Sequence, residues 1–479
     1  MATAKTTSMK RTTKTGSARE TVKKKTAKSK MGSIKTYSTA IAYLLEQTDY
    51  ERMRVVQYDE VTFKLDRMRS ILEELGNPQD QVPMVHVAGT VGKGSTVTML
   101  ASMLRGSGYA VGQYTSPHLI DMRERIVIND EMIAEDDFTQ AIAGVVAAAK
   151  KRSVTPTFFE LITAAAFKYF ADNAVDIAVI ETGLGGRLDS TNVINPLLTL
   201  ITKIELDHTH ILGNTVEEIA KEKAGIFKKT IPAISCQQTG GVSDVLRECA
   251  DATGSELEII GDDIEFSSRF VTSNAGVPQN RICVITEETQ FMHTPVPLPG
   301  AHQATNCGLA LAAICKLKTL GFNFDETALY VSLGNSSTNG RMELVWDKPK
   351  ILVDGAHNPA SLQSLIRCIG AHVPYDSMVC VFGCCVDKDV SGMLKQLSLG
   401  ADKIIFTKSQ GNPRAAEPLF LQRKFEEISG KMTQTANSLG EALEIAARAT
   451  SRDDLICVTG SFYLVGDAKK HLTELSTSK

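Results

Sequence analysis

The chain has 479 residues, 43% of them hydrophobic and 22% charged, with a formal net charge of −3. That length exceeds an ordinary single domain, so two or three are expected. With no apolar run long enough to span a bilayer and no secretory apolar core, the composition excludes an integral helical membrane protein, and the body is expected to be soluble and cytoplasmic.

The charge is unevenly placed. Residues 1–35 carry eleven Lys/Arg against one acid, Glu20, which leaves the remainder at about −13. An acidic body argues against a general nucleic-acid binder. Residues 1–35 hold almost no large apolar side chains and are expected to be disordered. Three readings stay open for this tail: a solvated extension, an electrostatic arm toward nucleic acid, membrane or an acidic partner, and a transit peptide. The excess of Lys over Arg and the missing amphipathic stripe weigh against the last. The ten cysteines include no C-x-x-C pair, and adjacent Cys384-Cys385 is a poor disulfide, so reduced and mostly buried thiols are expected.

In chain order, Tyr37–Glu46 and Phe63–Leu75 read as helices, the second stopped by Gly76-Asn77-Pro78. Met84-Val85-His86-Val87 reads as a buried strand and Val97–Leu104 as a helix, with the glycine-rich turn Gly89-Thr90-Val91-Gly92-Lys93-Gly94-Ser95-Thr96 between them. Ala110–Tyr114 is a strand, Asp136–Lys151 and Phe159–Asp172 are helices, Val175–Glu181 and Leu197–Ile204 are strands, and Val216–Phe227 is a helix. This alternation predicts a parallel sheet with helices on its faces. Residues 234–294 are less regular and suit antiparallel strands. Pro295-Val296-Pro297-Leu298-Pro299-Gly300 punctuates the chain. Beyond it, strands at Lys350–Val353, Ser377–Phe382, Lys403–Phe406 and Leu455–Val458 predict a second α/β unit, Rossmann-like in class. The expected division is therefore a tail at 1–35, a larger α/β unit at 36–298 and a smaller Rossmann-like unit at 299–479.

The turn after the first strand carries the chemistry. A glycine-rich strand-to-helix turn aims several backbone N–H groups at one point, the helix dipole favours negative charge there, and Lys93 adds a full positive charge. That is a triphosphate cradle. It departs from the common G-x-x-x-x-G-K-[ST] form, because Gly94 separates Lys93 from the hydroxyls of Ser95 and Thr96.

Open α/β sheets bind ligands at the carboxyl ends of their strands, where three polar segments fall: Thr115-Ser116-Pro117-His118, Glu181 with Thr182–Arg187, and Asp207-His208. A triphosphate brings Mg²⁺, which takes hard oxygen ligands such as Glu181 and the Ser116 hydroxyl. Each residue has a plainer reading beside this one. Glu181 can cap a turn or pair with Arg187, Ser116 can be a turn residue before Pro117, and His208 with His210 resembles a zinc pair without an evident third ligand. Lys221 suits a solvated helix face, whereas Lys223 borders an apolar stretch. In the second unit Arg341 and the turn Asp354-Gly355-Ala356-His357-Asn358-Pro359 are weak signals alone.

Taken together, these segments resemble the folylpolyglutamate synthase and dihydrofolate synthase family within the Mur ligase superfamily. The resemblance runs from about Ser38 to Val465. It rests on Gly89–Thr96, Tyr114–Leu119 with Arg123–Ile126, Thr157–Glu160, Glu181–Asn192, Leu206-Asp207-His208 with Leu212-Gly213, Glu222–Ile226, Gly340–Glu343 and Asp354–Pro359. It implies an α/β fold, with a P-loop-containing Mur-ligase-like ATPase domain followed by a smaller Rossmann-like domain. The implied activity is ATP-dependent amide formation between L-glutamate and a dihydropteroate or reduced-folate carboxylate, through an acyl phosphate. It implies ATP contacts from Gly89, Thr90, Gly92, Lys93, Gly94, Ser95, Thr96, Asn306, Arg341, Asp354 and His357. Two Mg²⁺ ions are implied, with Ser116, Glu181, His208 and a carbamylated Lys223 as ligands, together with a monovalent cation. Lys93, His208 and Lys223 are the implied catalytic residues, and Thr157, Phe158, Phe159, Glu160, Leu188, Asp189 and Ser190 the implied pterin-side contacts. Val91 stands where the family has asparagine or lysine, which costs a side-chain contact but leaves the backbone amides. A monomer without membrane partners is expected, with nucleic acid reached only through the basic tail. The alternatives are a sister ligase acting on a UDP-linked cell-wall precursor and a nucleotide-dependent binding protein without catalysis.

Overall fold

The computed structural model describes residues 34–49, 63–272, 278–337 and 339–477. The expectations for the tail fall outside the described residues, apart from its last two positions. An eight-stranded sheet contains β1 (Met84–Ala88), β2 (Val111–Tyr114), β3 (Ile126–Ile128), β4 (Glu131–Met132), β5 (Ile177–Glu181), β6 (Leu198–Ile201), β7 (Ala233–Ser235) and β8 (Leu257–Ile259). Its order is β4-β3-β2-β5-β1-β6-β7-β8, parallel from β2 to β8, with β3 and β4 antiparallel at one edge. A three-stranded antiparallel sheet follows from β9 (Glu265–Thr272), β10 (Pro278–Ile285) and β11 (Gln290–Pro295). The last sheet contains β12 (Glu343–Trp346), β13 (Lys350–Asp354), β14 (Met378–Phe382), β15 (Lys403–Phe406), β16 (Thr433–Thr435) and β17 (Leu455–Thr459), in the order β12-β13-β17-β14-β15-β16. Only β12 runs antiparallel there.

The apolar strands are buried on both faces because successive residues point to opposite sides. Val85 and Val87 of β1 join Ile177 and Val179 of β5 in one core, under helices Lys93–Gly106, Ala301–Thr319 and Glu326–Gly334. Met84, Tyr114, Ala178 and Ile180 face a second core with helices Tyr37–Leu45, Leu65–Glu74, Glu135–Lys151 and Phe158–Asp172. The last sheet has its own two cores, one around Phe382 and Phe406 and the other around Val381 and Val458.

Three expectations change. The boundary drawn at 298/299 does not coincide with the change of core. Helix Ala301–Thr319 and helix Glu326–Gly334 pack on the first sheet, through Leu309, Leu311, Leu317 and Leu333. The Pro/Gly segment is thus a turn into a helix of the same layer, and the second layer begins near Glu343. Residues 234–294 hold antiparallel strands as expected, but also helix Val242–Thr253 and the parallel strands β7 and β8. The helix after the phosphate loop starts at Lys93, four residues before the apolar spacing does. All ten cysteines are free thiols and eight are buried, as composition predicts. Among the described residues, no helix is long and apolar enough to cross a membrane.

His86, fully buried in β1, is a polar exception. Its Nε2 lies 2.8 Å from Thr191 Oγ1, and that hydroxyl donates to Asp189 Oδ1 at 2.5 Å. The hydroxyl proton is thereby committed, so Nε2–H donates and Nδ1 is left without a partner. Burial, with help from the Lys228 charge, lowers the ring pKa to about 3. Between pH 3 and 6.5 the unfolded chain therefore binds a proton that the folded chain refuses, so stability falls as pH is lowered through that window. Urea melts from pH 7 to pH 4 are expected to show His86→Gln losing less stability than wild type, by about 1.4 kcal/mol per pH unit below pH 6. Parallel slopes for the two proteins would contradict this.

Candidate active site

A cavity of about 1040 Å³ opens at the carboxyl ends of β1, β5 and β6 and is walled on its far side by residues of the second layer. The phosphate loop forms its floor. Gly92 starts the helix at φ +92°, and no side chain caps its first turn. The first-turn amides of Lys93, Gly94 and Ser95 lack intrahelical acceptors, and these residues line the cavity. Two glycines are required by space as well as by conformation. A Cβ at Gly92 would stand 2.2 Å from Asn306 Oδ1, and one at Gly89 would stand 1.8 Å from Thr202 Oγ1. Asn306 comes from helix Ala301–Thr319 and donates to Gln303 Oε1 at 3.0 Å; Gln303 in turn reaches Ser95 Oγ at 3.3 Å.

Not every loop amide faces the cavity. The N–H groups of Thr90 and Val91 both donate to the Lys203 carbonyl, at 2.9 and 3.2 Å, and the Thr96 N–H donates to Gly92 O. Thr96 is fully buried and absent from the cavity wall. The anion-facing set therefore narrows to Gly92–Ser95. Val91 works through its backbone, which pins the loop to the chain after β6.

Two lysines converge on one carbonyl. Lys93 Nζ donates to Gly89 O at 3.1 Å and Thr90 O at 3.3 Å, and lies 3.9 Å from Glu181 Oε1. Lys223 Nζ donates to Gly89 O at 2.6 Å. Lys223 is 4% exposed, and burial, aided by the charge of Lys93, lowers its pKa to about 7. Glu181 ends β5 directly beside Val87 of β1. Burial raises its pKa to about 7, against the opposing pull of Lys93 and a 3.2 Å hydrogen bond from the Ser116 N–H. Arg187 pairs with Glu222 at 3.0 Å, so the plainer reading of Glu181 as an Arg187 partner fails.

His208 sits at φ +49° on the cavity wall, its pKa lowered by desolvation. Its neighbour Asp207 ties the two layers together. Lys388, in the turn after β14, donates to Asp207 Oδ1 at 2.5 Å, and His357 Nε2 lies 3.6 Å from Oδ2. Burial alone would raise Asp207, but His357, His208 and Lys388 outweigh it and hold the carboxyl well below its usual range. No three His, Cys, Asp or Glu side chains cluster as a metal site among the described residues, which removes support for the zinc reading of His208 and His210.

From the second layer, Arg341 stacks on the Phe462 ring at 4.5 Å, and Asp354 accepts from the N–H groups of Met342 and Ala356 at 2.9 and 2.8 Å. His357 Nδ1 donates to Gly355 O at 2.9 Å. All three line the cavity.

The expected pterin-side residues divide. Phe159, Leu188 and Ser190 line the cavity. Phe158 does not; it is 2% exposed in the core, under the Arg125 guanidinium at 5.4 Å. Thr157 and Glu160 reach the wall but form a reciprocal cap on helix Phe158–Asp172, and Glu160 also accepts twice from Arg67 Nε at 2.8 Å. Asp189 spends both oxygens on the N–H groups of Gly183, Leu184 and Thr191 and the Thr191 hydroxyl. It shapes the Gly183–Leu188 turn. Sequence reasoning missed Lys388, Arg67 and Gln303. Lys388 was findable, because Val386-Asp387-Lys388-Asp389 is a polar turn at a strand's carboxyl end.

A cradle of helix-start amides with a lysine, facing a second α/β layer across a cleft, is the arrangement of a Mur-type ligase. The Mur ligase middle domain matches residues 87–314, and the Mur ligase glutamate ligase domain matches residues 340–462. The dihydrofolate synthase/folylpolyglutamate synthase of Bacillus subtilis is 35% identical over 417 residues, covering 85% of this chain and 94% of that relative. The chain belongs to the folylpolyglutamate synthase/dihydrofolate synthase family of ligases. Against two longer haloarchaeal relatives, from Haloferax volcanii and Halobacterium salinarum, it spans about half the length, 49% and 52%. The Mycobacterium tuberculosis folylpolyglutamate synthase complexed with ADP superposes with a TM-score of 0.82 at 28% identity, covering 92% of this chain and 99% of that one. Escherichia coli FolC in complex with DHPP and ADP gives 0.79 at 27% identity, covering 92% and 98%.

Proposed function

We propose that this chain uses ATP to join L-glutamate to the carboxylate of dihydropteroate or of a reduced folate. The observation that carries the reading is convergence on one cavity: the Gly92–Ser95 amides with Lys93, the buried Glu181 beside Ser116, and Arg341, Asp354 and His357 from the opposite layer. A carboxylate is a poor electrophile. Its oxygen attacks the γ-phosphorus, the bond to the ADP oxygen breaks, and an acyl phosphate forms. The glutamate amine then attacks the acyl carbon, loses a proton, and expels phosphate from the tetrahedral intermediate. The chain's work is positioning and charge neutralisation. Lys93 and the loop amides hold the phosphates, Asn306 stands on the nucleotide side of the loop, and Arg341 and Asp354 reach ATP across the cleft. Phe159, Leu188 and Ser190 flank the acceptor.

The residues fit magnesium. Glu181 is 4% exposed, yet its carboxylate accepts one backbone hydrogen bond and faces an ammonium 3.9 Å away, which leaves lone pairs for a hard cation beside the Ser116 hydroxyl. His208 and Lys223 would hold a second ion once Lys223 is carbamylated; as an ammonium bonded to Gly89 O it is no ligand. Bound magnesium neutralises phosphate charge and polarises the transferred group.

The test is a product assay by mass spectrometry. ATP and glutamate are supplied with dihydropteroate, with a reduced folate, or with a UDP-linked peptide precursor. A glutamylated product from at least one pteroyl acceptor is expected. Turnover confined to the UDP-linked acceptor, or none with any acceptor, would overturn the reading. The same assay separates first-glutamate addition from chain extension.

A further inference from the structure

One loop of the first layer has its tip seated in the second. Ser116 and Leu119 are three residues apart but face different layers. The Ser116 N–H bonds to Glu181 Oε2 at 3.2 Å inside the cavity. The Leu119 side chain packs against the core built by the helix and strands of the second layer, next to Val465. Its seat is made of two glycines. A Cβ at Gly340 would stand 3.0 Å from Leu119 Cδ1, and a Cβ at Gly466 would stand 2.1 Å from the Leu119 carbonyl oxygen. Gly466 lies inside helix Phe462–Thr477, where no unusual backbone angle calls for glycine, so its bare face serves the close approach of the loop.

The loop between these two points has little slack. The Glu124 carboxylate accepts from the N–H groups of Leu119, Ile120 and Asp121 at 2.8–2.9 Å. His118 Nδ1 accepts from Arg125 Nε at 2.9 Å, and Arg125 is 1% exposed. Only Pro117 and His118 separate the seated residue from Ser116. The second-layer groups that face the cavity, Arg341 and Asp354, flank the same seat: Arg341 follows Gly340, and Asp354 pairs with Thr459 of β17 just before helix Phe462–Thr477.

We infer that Leu119 is a positioning residue which ties the placement of the second layer to the Ser116–Glu181 end of the cavity. It rests on the proposed ligase reading, in which both ends contact ATP. A second layer drawn in by nucleotide pushes on the seated leucine, and the short stiff loop carries that displacement to Ser116. Leu119 lies on the cavity wall, but its side chain is spent on the second-layer core beside Val465.

Three single variants, Leu119→Ala, Leu119→Met and Gly466→Ala, test it in the full chain. Leu119→Ala empties the seat. Gly466→Ala forces the loop out by its backbone, a clash the leucine side chain cannot relieve. The readouts are kcat and KM for ATP, the thermal midpoint, and ADP affinity by calorimetry. Leu119→Ala and Gly466→Ala are expected to lower kcat about tenfold while ADP affinity and KM change less than threefold, and Leu119→Met is expected to recover kcat to within threefold of wild type. A kcat within twofold of wild type in both disrupting variants would overturn the inference. So would a kcat loss that falls in step with the thermal midpoint and resists rescue by methionine, since that marks packing alone. If wild type binds ADP but glutamylates no pteroyl acceptor, the ligase reading fails instead, and the calorimetric arm identifies that case.

Discussion

Lys93→Ala is expected to lower kcat by about 10²–10³, equivalent to ~3–4 kcal/mol of transition-state stabilisation. Lys93 is the single cation contributed by the phosphate loop itself, and its ammonium is held against Gly89 O, Thr90 O and Glu181 within a mostly buried site. Its charge matters most when negative charge shifts onto the bridging oxygen during phosphoryl transfer. The amides of Gly92–Ser95 survive the substitution and still grip the ground-state phosphates. The loss should therefore fall on kcat, with KM for ATP moving far less. Steady-state measurement of ADP release checks it. An alanine variant that releases ADP at the wild-type rate would remove Lys93 from the chemistry.

Lys223→Ala is expected to cost at least about 10²-fold in kcat, and small molecules should reveal why. As it stands, Lys223 donates to Gly89 O at 2.6 Å, a tie that steadies the start of the phosphate loop. Burial brings the lysine pKa down to about 7. A large share is then free amine at neutral pH, the form that takes up carbon dioxide to become an anionic carbamate. The two roles respond oppositely to rescue. If the carbamate is the working form, acetate or formate will restore part of the activity of the alanine variant and methylamine will not. If the ammonium tie is what counts, methylamine restores activity and the carboxylates do nothing. Turnover assayed across a concentration series of each additive decides it.

How much of this was legible in the sequence follows from how local each signal is. The β1 and β5 strands are short, mostly apolar runs, β1 interrupted by His86 and β5 closed by Glu181, so a parallel sheet with polar chemistry at its carboxyl edge was readable before any coordinates, whereas the direct pairing of β1 with β5 was not. The phosphate loop was legible for the same reason, as a strand, a glycine turn and a helix in succession. The split of its amides was not, because Thr90 and Val91 are claimed by Lys203, more than a hundred residues away. Thr157-x-x-Glu160 carried a capping-box pattern that was open to view, and its reading as ligand contact passed over the local explanation. The prolines near 295–300 mark a break in regular structure, and nothing in their chemistry says that the next helix returns to the same core. The Asp207–Lys388 pair joins residues 181 apart, and no periodicity reaches that far.

That return of helices Ala301–Thr319 and Glu326–Gly334 to the first sheet matters for how the polypeptide is made. The apolar cores of the nucleotide-facing half are drawn from residues 40–333, all upstream of Glu343. During synthesis from the amino end, that half has its full complement of interior side chains before the glutamate-ligase half begins to emerge. Its sticky surfaces can be covered while the ribosome is still working, so each half is spared the other's unfinished β edges.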